Sequence, residues 1–256
     1  MSIRTIVFAY DFPHKKTQDV IQRLVAIGCK PRAVIAAPPV MLRVPPPAIR
    51  VKARHADLID PQALCVQLGI PYVIAEHGSA ECLHHIEHFD GRLGVIAGAR
   101  ILPSSVIDAF TFGIINLHPG LLPHTRGLDA MQWAIYRDQP LGVTAHLVDH
   151  RVDAGLLLAA RRIDEYPDDS LVDVSLRLYE TQLDMLGDAI TIATTMSRSE
   201  LPSLHGGSYN RSFPSELVAQ MKRNFKLRRA RLRRGRVVAD SASVLSEHIR
   251  QRGDAA

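Results

Sequence analysis

The sequence predicts an α/β fold with a mostly parallel central sheet and helices on both faces. Three observations carry that expectation. Strand and helix signals alternate from the first residues to about residue 118. The run Leu93–Gly98 is apolar on both faces, as a strand between two helical layers must be. With 46% of its 256 residues apolar and 22% charged, the chain can build a substantial core and is neither disordered nor fibrous.

Ile3–Ala9 reads as a buried opening strand, followed by the polar loop Asp11–Lys16. Thr17–Ile27 places Val20, Ile21, Leu24, Val25 and Ile27 at helical spacing, and Gly28 stops it. Ala33–Ala37 is a second strand. The interval Pro38–Pro47 should be an exposed loop, because Pro45, Pro46 and Pro47 can join neither a helix interior nor a central ladder. Pro61–Leu68 is a helix, Tyr72–Ala75 a strand, Leu93–Gly98 a central strand, and Gly113–His118 a strand that runs straight into a loop. In open α/β sheets ligands bind beyond the carboxyl ends of strands, so that junction is where chemistry is expected.

After this the order changes. Val143–Val148 and Leu156–Ala160, joined by the turn Asp149–Gly155, predict a hairpin or bulged pair. A long helix from Ser170 to about Thr194 carries Leu171, Val174, Leu178, Leu183, Leu186 and Ile190 as an apolar stripe. The expected organisation is a catalytic domain over residues 1–200 and a short C-terminal extension over 201–256. The extension's roughly 55 residues are too few to promise a core of their own.

No apolar run approaches the roughly 20 residues needed to cross a bilayer, and the apolar stretch at the start is too short for a secretory signal. Cys29, Cys65 and Cys82 are odd in number and lack CxxC spacing, which points to reduced thiols and a cytoplasmic protein. The formal charge is +5, but nine of the 31 basic residues fall in Lys222–Arg236, which has no acidic residue. The remainder holds 22 basic against 26 acidic groups, a net of −4. This basic segment reads either as a solvated helix or as an electrostatic handle for an anionic partner such as nucleic acid.

Asn116 and His118 stand two residues apart at the mouth of a strand, so their side chains point the same way. Asp153 offers a carboxylate in a tight turn, after His146 on the preceding strand. An amide donor, a histidine and a carboxylate able to hold it form a working set for acyl transfer.

The runs Asn116–Ile135 (NLHPGLLPHTRGLDAMQWAI) and Gly142–Leu158 (GVTAHLVDHRVDAGLLL) resemble the formyltransferase family, which includes glycinamide ribonucleotide transformylase, methionyl-tRNA formyltransferase and the sugar N-formyltransferases. The likeness covers roughly residues 90–190 in motif, and the first 90 residues only by the order of strands and helices. It implies a Rossmann-like formyltransferase fold and transfer of a formyl group from N10-formyltetrahydrofolate to an amine. By motif position it puts Asn116, His118 and Asp153 on the family's catalytic asparagine, histidine and aspartate. As an amine attacks the formyl carbon, Asn116 and a protonated His118 would stabilise the growing negative oxygen, and Asp153 would accept the amine's proton directly or through water. His146 is a supporting residue, orienting Asp153 or the folate, unless it is an ordinary strand residue.

The segment Ile96, Ala97, Gly98, Ala99, Arg100, Ile101, Leu102 resembles the family's pterin-binding stretch, its small residues letting a flat ring approach, with Asp149–Asp153, including Val152, as a second wall. Tyr10–Lys16 lacks the glycine-rich phosphate nest of glycinamide ribonucleotide transformylase, which disfavours a purine-pathway substrate. The chain also leaves no room for the further barrel domain of methionyl-tRNA formyltransferase.

An amino sugar, nucleotide-linked, or a similar small amine is therefore the expected acceptor. His14, Lys15, Arg126, Tyr209 and Arg211 are its candidate contacts, and Trp133 is expected in the core. Formyltetrahydrofolate hydrolysis by the same three groups is one alternative, and an RNA-associated protein acting through Lys222–Arg236 is another. A homodimer is left open. Glu76, His77, Cys82, His84, His85, Glu87 and His88 gather metal-ligand types, but without an HExxH pattern they read as a polar surface helix, and no metal is expected.

Overall fold

A computed structural model describes residues 3–40, 47–51 and 57–233. The middle of the predicted proline-rich loop (41–46) and the end of the basic segment (234–236) lie outside the described residues. Among the described residues eight strands form one sheet: β1 (Thr5–Tyr10), β2 (Ala33–Ala37), β3 (Tyr72–Ile74), β4 (Leu93–Ile96), β5 (Ile114–His118), β6 (Gly142–Leu147), β7 (Gly155–Arg162) and β8 (Ser203–Leu204). Their order is β3-β2-β1-β4-β5-β6-β7-β8. The first five run parallel and the last three pair antiparallel, as the change of pattern after residue 118 implies.

Period-two alternation along β1 divides its side chains between two cores. Val7 and Ala9 face one layer, with Val20, Ile21 and Leu24 of α1 (Lys15–Ala26), Cys65 of α2 (Pro61–Leu68) and the later helices. Ile6 and Phe8 face the other, with Cys82 and Ile86 of α3 (Ala80–His88) and Val106 of α4 (Ser104–Asp108). The polar His/Glu run is thus α3, which keeps Cys82 and Ile86 inside and leaves His84 and His88 in solvent. Among the described residues no group of three or more His, Cys, Asp or Glu side chains is placed to hold a metal.

The hairpin expected over 143–160 is present as β6 and β7, with a bulge between Ala145 and His146. The predicted helix over 170–194 divides into α6 (Leu171–Asp184) and α7 (Leu186–Thr195). Ser170 and Asp173 form a capping box at its start, while Met185, at ψ −9°, turns the chain between the two parts. The break lets Leu178 and Leu186 both stay buried against the sheet.

Residues 201–233 lie on the same core. β8 extends the sheet, and α8 (Val218–Arg233) lies against α5 (Ala130–Tyr136), burying Met221, Phe225 and Arg228. Part of the basic run is consumed in this docking. Arg228 forms a bidentate pair with Glu165, Nη2–Oε1 2.6 Å, and donates to Gln139 O at 2.7 Å. Arg231 pairs with Asp138 and Arg229 donates to Pro167 O. Trp133 is half-buried and packs on Phe213, in accord with a place at the core.

Truncating Arg228 strands the Glu165 carboxylate, whose side chain is only 10% exposed. Arg228→Ala should therefore cost roughly 3 kcal/mol in chemical denaturation, against less than about 0.5 kcal/mol for the exposed Lys222→Ala. Equal costs would show that the ion pair does not anchor α8.

Candidate active site

Strand order reverses at β1, which has β2 on one side and β4 on the other, and loops leaving there part to form a crevice. The crevice holds a cavity of about 930 Å³. Its walls are the turn after β1 (Pro13–Lys16), the segment after β4, the end of β5, the turn between β6 and β7, and one face of α6.

Asn116 and His118 leave β5 on one side and meet Asp153 from that turn. His118 is buried; its Nε2 donates to Thr125 O at 2.8 Å and its Nδ1 lies 3.3 Å from Asp153 Oδ1. Both ring nitrogens face acceptors, an arrangement suited to a cationic ring. Asp153 has φ 47°, a left-handed backbone that aspartate tolerates better than most residues. Its other oxygen accepts from Gly127 N at 2.8 Å. Burial raises this carboxyl, but the bond and charge of His118 and the Gly127 N–H outweigh it and hold Asp153 below the usual carboxylate range.

His146 stands directly across the ladder from Asn116. Its Nδ1–H donates to Ala154 O at 2.8 Å, so Nε2 carries the lone pair and accepts from Asn116 Nδ2 at 3.1 Å. This fixes the direction of the amide. Burial, with the charge of His118 added, pushes the His146 imidazole down to about 4, so it is neutral at physiological pH. It serves Asn116, where the sequence suggested Asp153 or the folate.

Ile96, Ala99, Arg100, Ile101, Leu102, Asp149 and Val152 line the cavity as expected. Ala97 instead joins the core, and Gly98 lies behind the wall, where a Cβ would meet the Tyr10 ring at 2.7 Å. Gly94 likewise has no side chain because Ile114 occupies that space. At both glycines neighbouring side chains occupy the space of a Cβ.

His14, Lys15 and Tyr209 reach the cavity, Lys15 while paired with Asp19 at 2.7 Å. Arg126 and Arg211 do not line it. Arg126 spends its guanidinium on backbone carbonyls, described below, and Arg211 is exposed, its carbonyl accepting from Trp133 Nε1. Sequence reasoning missed Thr125, Gly127 and the α6 wall of Val172, Leu176 and Tyr179. The Arg126-Gly127 pair was a legible signal for Gly127, whereas a backbone carbonyl such as that of Thr125 carries none.

A family model described as formyl transferase matches residues 44–190. The chain is 38% identical over 97 residues to a methionyl-tRNA formyltransferase of Thermosynechococcus vestitus, covering 38% of this chain and 29% of the relative. It is 36% identical over 90 residues to a phosphoribosylglycinamide formyltransferase of Haemophilus influenzae, covering 34% of this chain and 42% of the relative. The match thus spans less than half the length of each of these two relatives. In fold, a sugar N-formyltransferase from Shewanella sp FDAARGOS_354 superposes with TM-score 0.54 at 23% identity, over 81% of this chain and 76% of that one.

With a folded value below the ordinary 6.5, His146 takes up its proton later than the unfolded chain does. Its contribution, roughly 3 kcal/mol, is complete above about pH 6.5 and is lost as the pH falls toward 4. In a histidine NMR titration the signal absent from His146→Asn should have a midpoint near 4. A midpoint near 6.5 would mean that the ring is not neutral by virtue of its site.

Proposed function

Since the chain belongs to the formyl transferase family, we propose that its crevice moves a formyl group from N10-formyltetrahydrofolate onto the amine of a small substrate, an amino sugar carried on a nucleotide or an amine of similar reach. The observation that carries this reading is the meeting of Asn116, His118 and Asp153 on one cavity wall. The apolar side chains of Ile96, Ile101, Leu102, Val148 and Val152 on the cavity wall suit the flat faces of a folate's rings. Bound there, the donor supplies an activated formyl carbon.

The chain's own groups do the rest. Asn116 Nδ2 gives one hydrogen to His146, and its second hydrogen is available to the formyl oxygen. The Nδ1–H of His118, on the longer of its two bonds, can be shared with that oxygen. Both interactions strengthen as negative charge grows during attack. Asp153, kept ionised by its partners, receives the proton that the attacking nitrogen must lose. On the acceptor side, His14, Lys15 and Lys16 offer cationic or donor groups to a phosphate, in place of a glycine-rich nest. The three free thiols agree with a reaction in the reducing cytoplasm.

Asn116→Ala, His118→Ala and Asp153→Ala should each keep the wild-type circular dichroism and lower kcat/KM by roughly 10²- to 10⁴-fold. Wild-type turnover in any of them removes that residue from the mechanism. Formate release without a formylated amine would move the reading to hydrolysis. Replacing the exposed Lys222, Arg223 and Lys226 by Gln should leave turnover intact. Loss of turnover together with tight, salt-sensitive RNA binding in the parent protein would favour a nucleic-acid role.

A further inference from the structure

We infer that Arg126 is a positioning residue, through which the strap of residues 206–210 and the turn that carries Asp153 hold one another in place during the reaction proposed above. The half-buried guanidinium donates through Nε and Nη2 to Val152 O at 3.2 and 2.7 Å. Through Nη1 it donates to Gly206 O at 3.2 Å and more weakly to Gly207 O at 3.5 Å. All of these acceptors are backbone carbonyls, and they belong to two segments about 54 residues apart in sequence, both anchored on one planar fork.

The Val152 carbonyl belongs to the peptide whose nitrogen is that of Asp153. Fixing this peptide plane fixes the start of the Asp153 backbone, while Gly127 N holds the far end of its side chain at 2.8 Å. The catalytic carboxylate is held at both ends by Arg126 and its neighbour.

The strap is also tied to Arg126 and Leu128, on either side of Gly127. Asn210 N and Nδ2 donate to Arg126 O at 2.9 and 2.8 Å, and Leu128 N donates to Asn210 O at 2.9 Å. The approach is too close for side chains: a Cβ on Gly127 would overlap Asn210 O, and one on Gly207 would overlap Pro123 O. Both residues have positive φ, 95° and 71°. Tyr209, between these anchors, lines the cavity and is 48% exposed. An acceptor that touches the strap therefore bears on the orientation of Asp153.

The chain's single tryptophan reports on the strap, since Trp133 Nε1 donates to Arg211 O at 2.9 Å, one residue beyond it. In Arg126→Ala, Trp133 emission should shift to the red and kcat should fall roughly 10- to 100-fold with a smaller change in KM. The acidic limb of the kcat/KM profile should move to higher pH, because a loosened Gly127 N–H no longer holds the Asp153 carboxyl down. Arg126→Lys should not restore these values, as an ammonium lacks the fork. Gly207→Ala, which lifts the strap from Pro123 and leaves Arg126 in place, should give the same three changes and decides the matter if Arg126→Ala does not fold. The inference is overturned if Arg126→Ala keeps wild-type kcat and an unmoved acidic limb, or if Gly207→Ala shifts Trp133 emission and leaves catalysis untouched. Asn116→Ala measured alongside separates the two levels. If it too is fully active, the proposed reaction itself fails; if it is inactive while Arg126→Ala is normal, only the positioning role does.

Discussion

The antiparallel register between β5 and β6 is the constraint on which the site depends. It sets Asn116 opposite His146 and His118 opposite Thr144, so a buried imidazole backs the amide and a threonine, bonded to Gly120 O and Leu122 N, steadies the loop after His118. A one-residue slip of β6 would carry His146 and Thr144 to the opposite face, away from Asn116 and His118. The bulge between Ala145 and His146 lies at this point and aims the His146 ring, with Nδ1 on Ala154 O and Nε2 on Asn116.

The two histidines behave differently for reasons visible in their partners. His118 has acceptors on both nitrogens, a carbonyl and a carboxylate, and so suits positive charge. His146 has one acceptor and one donor, is wholly buried, and lies near the charge of His118, which together favour the neutral ring. The two arrangements are complementary: a charge at His146 would repel positive charge at His118 and turn Asn116 around.

Much of the fold was legible because alternation and chain punctuation are local signals. β1 to β5, the hairpin and the helical stripe of Leu171–Ile190 follow from them, and Asn116, His118 and Asp153 stood out by residue type and spacing. What was not legible depends on distant partners. No local pattern distinguishes an arginine that lines a cavity from one that closes on backbone carbonyls, as Arg126 does on Val152 O and Gly206 O. Nothing local to Gly98 shows that a Tyr10 ring fills the space beside it, because that ring comes from another strand. The basic run Lys222–Arg236 looked uniform, yet Arg228 is buried on Glu165 while Lys222 stands in solvent.

The sheet ends abruptly on both sides. β3 contributes three residues, and β8 two, which pair with only Gly155 and Leu156 of the eight-residue β7. At the β3 margin an extended peptide finds too little ladder to add a strand. At the other margin the outer side of β7 runs on past β8 and ends in the exposed, charged Arg161 and Arg162, which discourage edge-to-edge growth into fibrils.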